Sequence, residues 1–182
     1  MALGATIYRL RLDVADIDRG IYGERVLTLA RHPSETEERM MIRVLAYAMH
    51  DQEGLEFGRG LSTDDEPDLW QRDATGRILT WIDVGLPEER RLRRACGRAD
   101  RVVALAFGGP RVDVWWRRLG RELSQLSSLT VNVVENPAAH ALAAMAARSM
   151  RLSVTIQEGV LLFSDGERIA EVVPRVLPTE AR

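Results

Sequence analysis

The sequence predicts an α/β fold on a mixed sheet: one compact domain over residues 1–182, with antiparallel hairpins at both chain ends. Three observations carry this. Three strand–helix alternations follow one another between about residues 77 and 147, the pattern of a sheet crossed by packed helices. Period-two runs open and close the chain. No repeat, low-complexity tract or linker interrupts the 182 residues, a length that fills one sizeable core.

"ATIYRLRLDVAD" alternates polar with apolar residues and predicts a strand, and "GERVLTLARH" its antiparallel partner across "IDRGIYG". A helix is predicted over about 35–51, with Ser34 as N-cap, Glu37 completing a capping box and Gly54 closing the segment. Met41, Leu45, Ala48 and Met49 recur along it at helical spacing. A short strand at 55–58 precedes an acidic turn, then "LWQRD" gives a brief strand and "RILTWIDVG" a clear one. "LPEERRLRRACGRA" reads as a helix with Pro87 in its first turn, acids early and bases late, as the helix dipole favours. "RVVALAFG" is a strand buried on both faces, "RVDVWWRRLGRELSQL" a helix, "LTVNVVE" a strand and "NPAAHALAAMAARSM" a helix capped by Asn136. Two or three strands finish the chain, with turns at Glu158-Gly159 and Asp165-Gly166.

Composition narrows the chemistry. The longest apolar runs are strand-length, far short of the roughly 20 residues of a membrane span. The N-terminus lacks a signal-peptide pattern, so a cytoplasmic protein with no membrane partner is expected. A single cysteine, Cys96, excludes an intrachain disulfide. All 25 basic residues are arginine, as a GC-rich coding sequence would give. Without lysine, Schiff-base chemistry, a P-loop lysine and a lysine general base are excluded. The net charge of −2 exerts no overall pull on nucleic acid, so any such binding rests on local clusters.

The stretch "EPDLWQRDATGRILTWIDVG" reads almost like a metal-nuclease signature. Pro67-Asp68 and Asp83-Val84 have the right order and spacing, but Gly85 stands where such enzymes carry lysine. Asp83 sits in an otherwise apolar strand end, so it needs a partner, a metal or exposure. Arg72 and Arg91 are candidate partners. The solvated reading stands beside the metal one: "DDEPD" suits an acidic turn, and Glu35, Glu37 and Glu38 suit the start of a helix.

"LTLARHPSETEERMMIRVLAYA", "RGLSTDDEPDLW", "WIDVGLPEERRLRRAC", "VWWRR" and "VTIQEGVLLFSD" closely resemble the YaeQ family of bacterial proteins, over essentially the whole chain. The resemblance implies a variant of the PD-(D/E)xK, restriction-endonuclease-like core. It also implies a loose link with transcription, which makes nucleic acid or the transcription machinery an expected partner. On that core the metal-site positions fall on Glu38 (or Glu35), on Asp65, Glu66 or Asp68, and on Asp83, with Mg²⁺ as the cofactor. Within "DDEPD" the literal match is Asp68, while turn geometry leaves Asp65 and Glu66 level with it. Gln71 and Arg72, with Arg91 or Arg94, are stand-ins for the missing lysine, able to orient water or stabilise charge but poor as bases.

A second reading uses the basic clusters. Arg90, Arg94, Arg98 and Arg101 would form one stripe on a helix, suited to a phosphate backbone. Arg111, Arg117, Arg118 and Arg121 lie beside Trp115 and Trp116, which also suit a plain core role. Other motifs are bland: His32, His50 and His140 lack metal-ligand spacing, Gly108-Gly109-Pro110 reads as a turn, and Cys96 as a buried helix-face thiol. Two hypotheses follow: a Mg²⁺-dependent phosphodiesterase, or a non-catalytic nucleic-acid-binding protein that keeps the nuclease fold.

Overall fold

A computed structural model describes residues 4–59 and 65–178. The first period-two run forms β1 (Thr6–Asp16), whose even-numbered residues Tyr8, Leu10, Leu12 and Val14 are buried and whose odd-numbered ones face outward. It pairs antiparallel with β2 (Ile21–Arg31). Helix α1 (Glu37–Met49) starts two residues later than the Ser34 box implies. Thr36 is the N-cap, its hydroxyl accepting from the Arg39 N–H at 3.1 Å. Ser34 instead turns to His32, Oγ to Nδ1 at 2.7 Å. The box fails because Glu35 is drawn inward, as described below. Nine consecutive residues of α1, Met40 to Ala48, are buried, so this is a core helix covered on all sides.

Then come β3 (Leu55–Phe57), β4 (Leu69–Arg72) and β5 (Ile78–Val84), an antiparallel run. Helix α2 (Glu89–Cys96) is shorter than predicted: Pro87 lies before its N-cap Glu88, and Gly97 ends it. β6 (Ala99–Phe107), α3 (Pro110–Leu123), β7 (Leu129–Val134) and α4 (Asn136–Ala143) follow, with β5, β6 and β7 parallel. Glu135, rather than Asn136, occupies the α4 N-cap, and Ser149 and Met150 leave the predicted helix to start a strand. That strand is β8 (Ser149–Gln157), followed by β9 (Val160–Ser164), β10 (Ile169–Val172) and the short β11 (Arg175–Val176).

The predicted hairpins do not flank the central sheet. They join each other, because β8 pairs parallel with β1, giving an outer five-stranded sheet in the order β10-β9-β8-β1-β2. The other sheet runs β11-β7-β6-β5-β4-β3. At the β8–β9 turn Glu158 and Gly159 have φ of 53° and 75°, and both donate their N–H to the Asp18 carboxylate, which fastens one hairpin to the other.

Four layers result. One apolar cluster joins the inner face of the outer sheet, α1, α4 and one face of the central sheet, including Ile82, Val84, Val103 and Leu105. A second joins the opposite face, including Trp81, Val102 and Ala104, to Leu92 of α2 and to Val112 and Trp115 of α3. The tryptophan indole of Trp115 donates to the Pro87 carbonyl at 2.9 Å, so this residue serves the core.

His50 closes α1, its Nε2 shut off from solvent. Burial, with Arg101 and Arg19 nearby, pushes its pKa from 6.5 down to about 4. The folded state therefore holds His50 neutral, and the unfolded chain takes up the proton first as pH falls. Its contribution is complete above pH 6.5 and is lost between there and about pH 4. Chemical denaturation across that range should show wild type losing up to roughly 3 kcal/mol relative to His50→Gln.

Candidate functional site

The site residues cluster where α1, the start of β4, the end of β5 and α2 meet. Glu35 is buried before the first turn of α1 and accepts from Arg39 Nη1 at 2.7 Å and from Arg43 Nη1 at 3.0 Å. Arg43 is fully buried, donates to the Ala30 carbonyl at 3.2 Å and lies over the Phe57 ring. Arg39 Nη2 reaches both oxygens of buried Asp68 at 2.8 Å, and Asp68 accepts the Val84 N–H at 2.7 Å. Burial works against the Arg39 charge, but Asp68 and Glu35 outweigh it and hold its pKa above the ordinary value.

Asp83, 2% exposed, finds its partner in Arg91. The guanidinium grips both oxygens, Nε to Oδ2 and Nη2 to Oδ1, each at 2.8 Å. Arg91 Nη2 also donates to the Glu66 carbonyl at 2.7 Å. Burial raises the Asp83 pKa, Arg91 opposes that, and the Asp68 charge adds to it. Asp68 is thus drawn to α1 and Asp83 to α2, which pack on opposite faces of the central sheet.

The remaining predicted ligands disperse. Asp65 is exposed and meets Arg94 at 3.2 Å, and Glu66 sits 3.6 Å from Arg59. Asp64 lies outside the described residues. Glu38 pairs with His140 at 3.3 Å, at the contact between α1 and α4. Gln71 and Arg72 are not brought to Asp83: Gln71 donates to the Glu53 carbonyl at 2.9 Å, while Arg72 stacks on Trp70 and approaches Glu56. Among the described residues no group of three or more His, Cys, Asp or Glu is gathered as a metal ion requires, so these side chains do not fit Mg²⁺. Each predicted acid faces an arginine or a histidine instead.

Gly85 explains why no lysine stands beside Asp83. Its φ is +108° and its N–H donates to the Leu105 carbonyl at 3.0 Å, a backbone state that side chains strain. Gly58 is held by sterics too, since a Cβ there would lie 2.0 Å from the Pro67 carbonyl oxygen.

The arginine stripe is only half a stripe. Arg90 and Arg94 lie on α2, but the helix ends at Cys96; Arg98 follows the cap, and Arg101 is on β6. Arg101 reaches Thr80 at 3.3 Å and acts on His50, so it points away from α2. The other three converge with Arg91, which the sequence offers both as a partner for Asp83 and as a stand-in for lysine. Glu88, Arg90, Arg91 and Arg94 line a cleft of about 430 Å³, and Arg91 and Arg98 both stack over Trp81, at 5.8 and 5.5 Å. Burial raises the Cys96 thiol pKa, which makes it an inert neighbour. No helix among the described residues is long and apolar enough to cross a membrane.

The family model described as "YaeQ protein" matches residues 1–174. "Uncharacterized protein YaeQ" of Escherichia coli (strain K12) and of Salmonella typhi are each 42% identical over 172 residues, covering 94% of this chain and 95% of theirs. The crystal structure of YaeQ protein from Xanthomonas axonopodis pv. citri is similar with a TM-score of 0.91 and 44% identity, over 94% of this chain and 97% of that one. That of YaeQ protein from Pseudomonas syringae has a TM-score of 0.91 and 39% identity, over 97% of each chain.

Two variants test this construction. Arg43→Ala leaves buried Glu35 with Arg39 as its one remaining cation and opens a cavity in the core, and should cost about 3–5 kcal/mol in urea unfolding. Gly85→Lys restores the nuclease pattern on paper but should only destabilise, by about 1–2 kcal/mol, with no gain of hydrolysis in an oligonucleotide assay.

Proposed function

The chain belongs to the YaeQ family, and from that premise we propose that it is a non-catalytic binding protein that holds the phosphate backbone of a nucleic acid beside α2. The observation that carries this is the cleft of about 430 Å³ lined by Glu88, Arg90, Arg91 and Arg94. Arg94 and Arg98 are exposed at or beside it, and the Trp81 ring supports the Arg91 and Arg98 planes. Guanidinium groups fixed in this way reach phosphate oxygens in pairs and lose little freedom on binding. Strands of DNA or RNA at the transcription machinery offer such a backbone.

The order of Glu35, Asp68 and Asp83, just before α1, just before β4 and near the end of β5, supports kinship with the PD-(D/E)xK core. Chemistry of that kind is not supported by the donors. Arg39 lies between Glu35 and Asp68, where a cation between two carboxylates would sit, and Arg91 neutralises Asp83. In this reading, guanidinium groups have taken over the electrostatic work of the metal.

Fluorescence anisotropy on a labelled oligonucleotide should show affinity falling steeply with salt. Arg94→Ala with Arg98→Ala should lower the slope of log K against log salt by about two, while Asp83→Asn leaves binding in place. Calorimetry should find no saturable Mg²⁺ or Mn²⁺ binding up to millimolar concentrations. Metal binding that Asp83→Asn abolishes would return the protein to the hydrolytic class, and salt-insensitive or absent oligonucleotide binding would sink the backbone reading.

A further inference from the structure

The open face of the outer sheet carries a pattern that the α2 cleft does not use. Five large apolar side chains stand exposed on it: Ile7 at 49%, Tyr22 at 62%, Val26 at 71%, Leu162 at 41% and Ile169 at 73%. They are spread over the face rather than gathered in one patch, so the charges between them decide what it contacts. The charges on the same face are sorted into rows by the strand register. Arg11 lies opposite Val26 on one side and Arg151 on the other. One step on, Arg9 lies between Thr28 and Ser149. These side chains rim a hollow of about 410 Å³. Two residues along β1 in the other direction, Asp13 lies opposite Glu24 and beside Ser153.

Within one chain this arrangement is unfavourable. Like charges directly across a sheet repel, and the face holds two such pairs, Arg11 with Arg151 and Asp13 with Glu24. One diagonal ion pair, Arg11 to Glu24 at 3.4 Å, offsets this in part, and both its side chains are about half exposed, at 55% and 44%. Arg9 and Arg151 have no acidic partner among the described residues.

We propose that this face is the interface of a symmetric homodimer. A two-fold axis parallel to the sheet and running across the strands, between the basic and the acidic row, sets Arg11 over Asp13 of a second copy with Glu24 one strand to its side, and sets Arg151 over Ser153, one strand from that same Asp13. The same operation sets the acidic row over the basic one, as an isologous contact requires. The next rows also match. Tyr22 meets Thr28 of the second copy, next to its hollow, and Arg9 meets the small Ala15 and Thr155. With strands about 4.8 Å apart, the face spans roughly 600 Å² in projection and more in accessible area, close to the roughly 800 Å² per partner of a standard interface. Edge-to-edge growth is not the favoured route, because the free edge strand β2 points Arg25 and Arg31 inward to Asp51 and the Glu35 carbonyl.

Sedimentation of the full chain, 20.4 kDa as a monomer, should show a dimer at low salt that loosens as salt rises. Arg11→Asp and Asp13→Arg should each weaken it at least about tenfold, because each places like charges face to face. The double variant Arg11→Asp with Asp13→Arg exchanges the two rows and should restore the dimer. These positions are exposed, and an unchanged circular dichroism melt for each variant would confirm that the fold is intact. A chain that stays monomeric at about 100 µM and low salt overturns the proposal, since that concentration lies far above the micromolar constants expected of such a contact. A dimer that neither single variant weakens overturns it equally. So does a monomer that instead captures an oligonucleotide through Arg9 and Arg151.

Discussion

The structure depends on a buried chain of charges, Arg43–Glu35–Arg39–Asp68, ending on the Val84 N–H. Burying any one of these groups alone would cost several kcal/mol, and the chain is tolerable only because two guanidinium groups face two carboxylates in good geometry. Each link ties different elements. Arg43 reaches back to β2 through the Ala30 carbonyl, Glu35 fixes the segment before α1, and Asp68 holds the end of β5. A helix buried on all sides has only apolar contact to set its rotation and height. The charged chain pins both.

Arg91 answers this from the opposite side of the central sheet. It joins α2 to the Asp83 carboxylate and to the Glu66 carbonyl, so the segment from Glu66 to Asp68 is gripped by guanidinium groups on both faces. This sets the floor of the arginine-lined cleft and also spends the acids that a metal would need. The absence of lysine acquires a physical meaning here. The grip on Asp83 by two nitrogens of Arg91, and the bridge in which Arg39 gives Nη1 to Glu35 and Nη2 to Asp68, need planar forks, which an ammonium group cannot supply.

Local pattern made most elements legible. Period-two runs marked β1, β2 and β8, the glycines marked the turns, and the apolar strand end of "WIDVG" singled out Asp83 as a residue in need of a partner. The errors share one cause, which is that sequence spacing carries no information on long-range contact. Ser34 and Glu37 have the spacing of a capping box, yet Glu35 is pulled into the core by Arg43, eight residues along, and the helix starts at the next available cap. Arg101 keeps helical spacing with Arg98 after the helix has ended, because Gly97 breaks the run and β6 turns the chain to the other side. The parallel pairing of β1 with β8, some 140 residues apart, left no local trace at all.

The same limit explains why the acids suggested a metal. Carboxylates at the right order and spacing describe a topology, and topology survives a change of counter-ion. Whether a cleft works on Mg²⁺ or on guanidinium is decided by which cations the rest of the chain delivers to it. Here α1 delivers Arg39 and α2 delivers Arg91, each rigid enough to satisfy its carboxylate fully. A divalent ion would have to displace both, breaking contacts that hold two helices on opposite faces of one sheet. Metal binding and fold integrity are therefore in competition at this site. A protein whose core is closed by these pairs commits its acids to its own helices and leaves Arg94 and Arg98 facing outward, at the rim of the cleft.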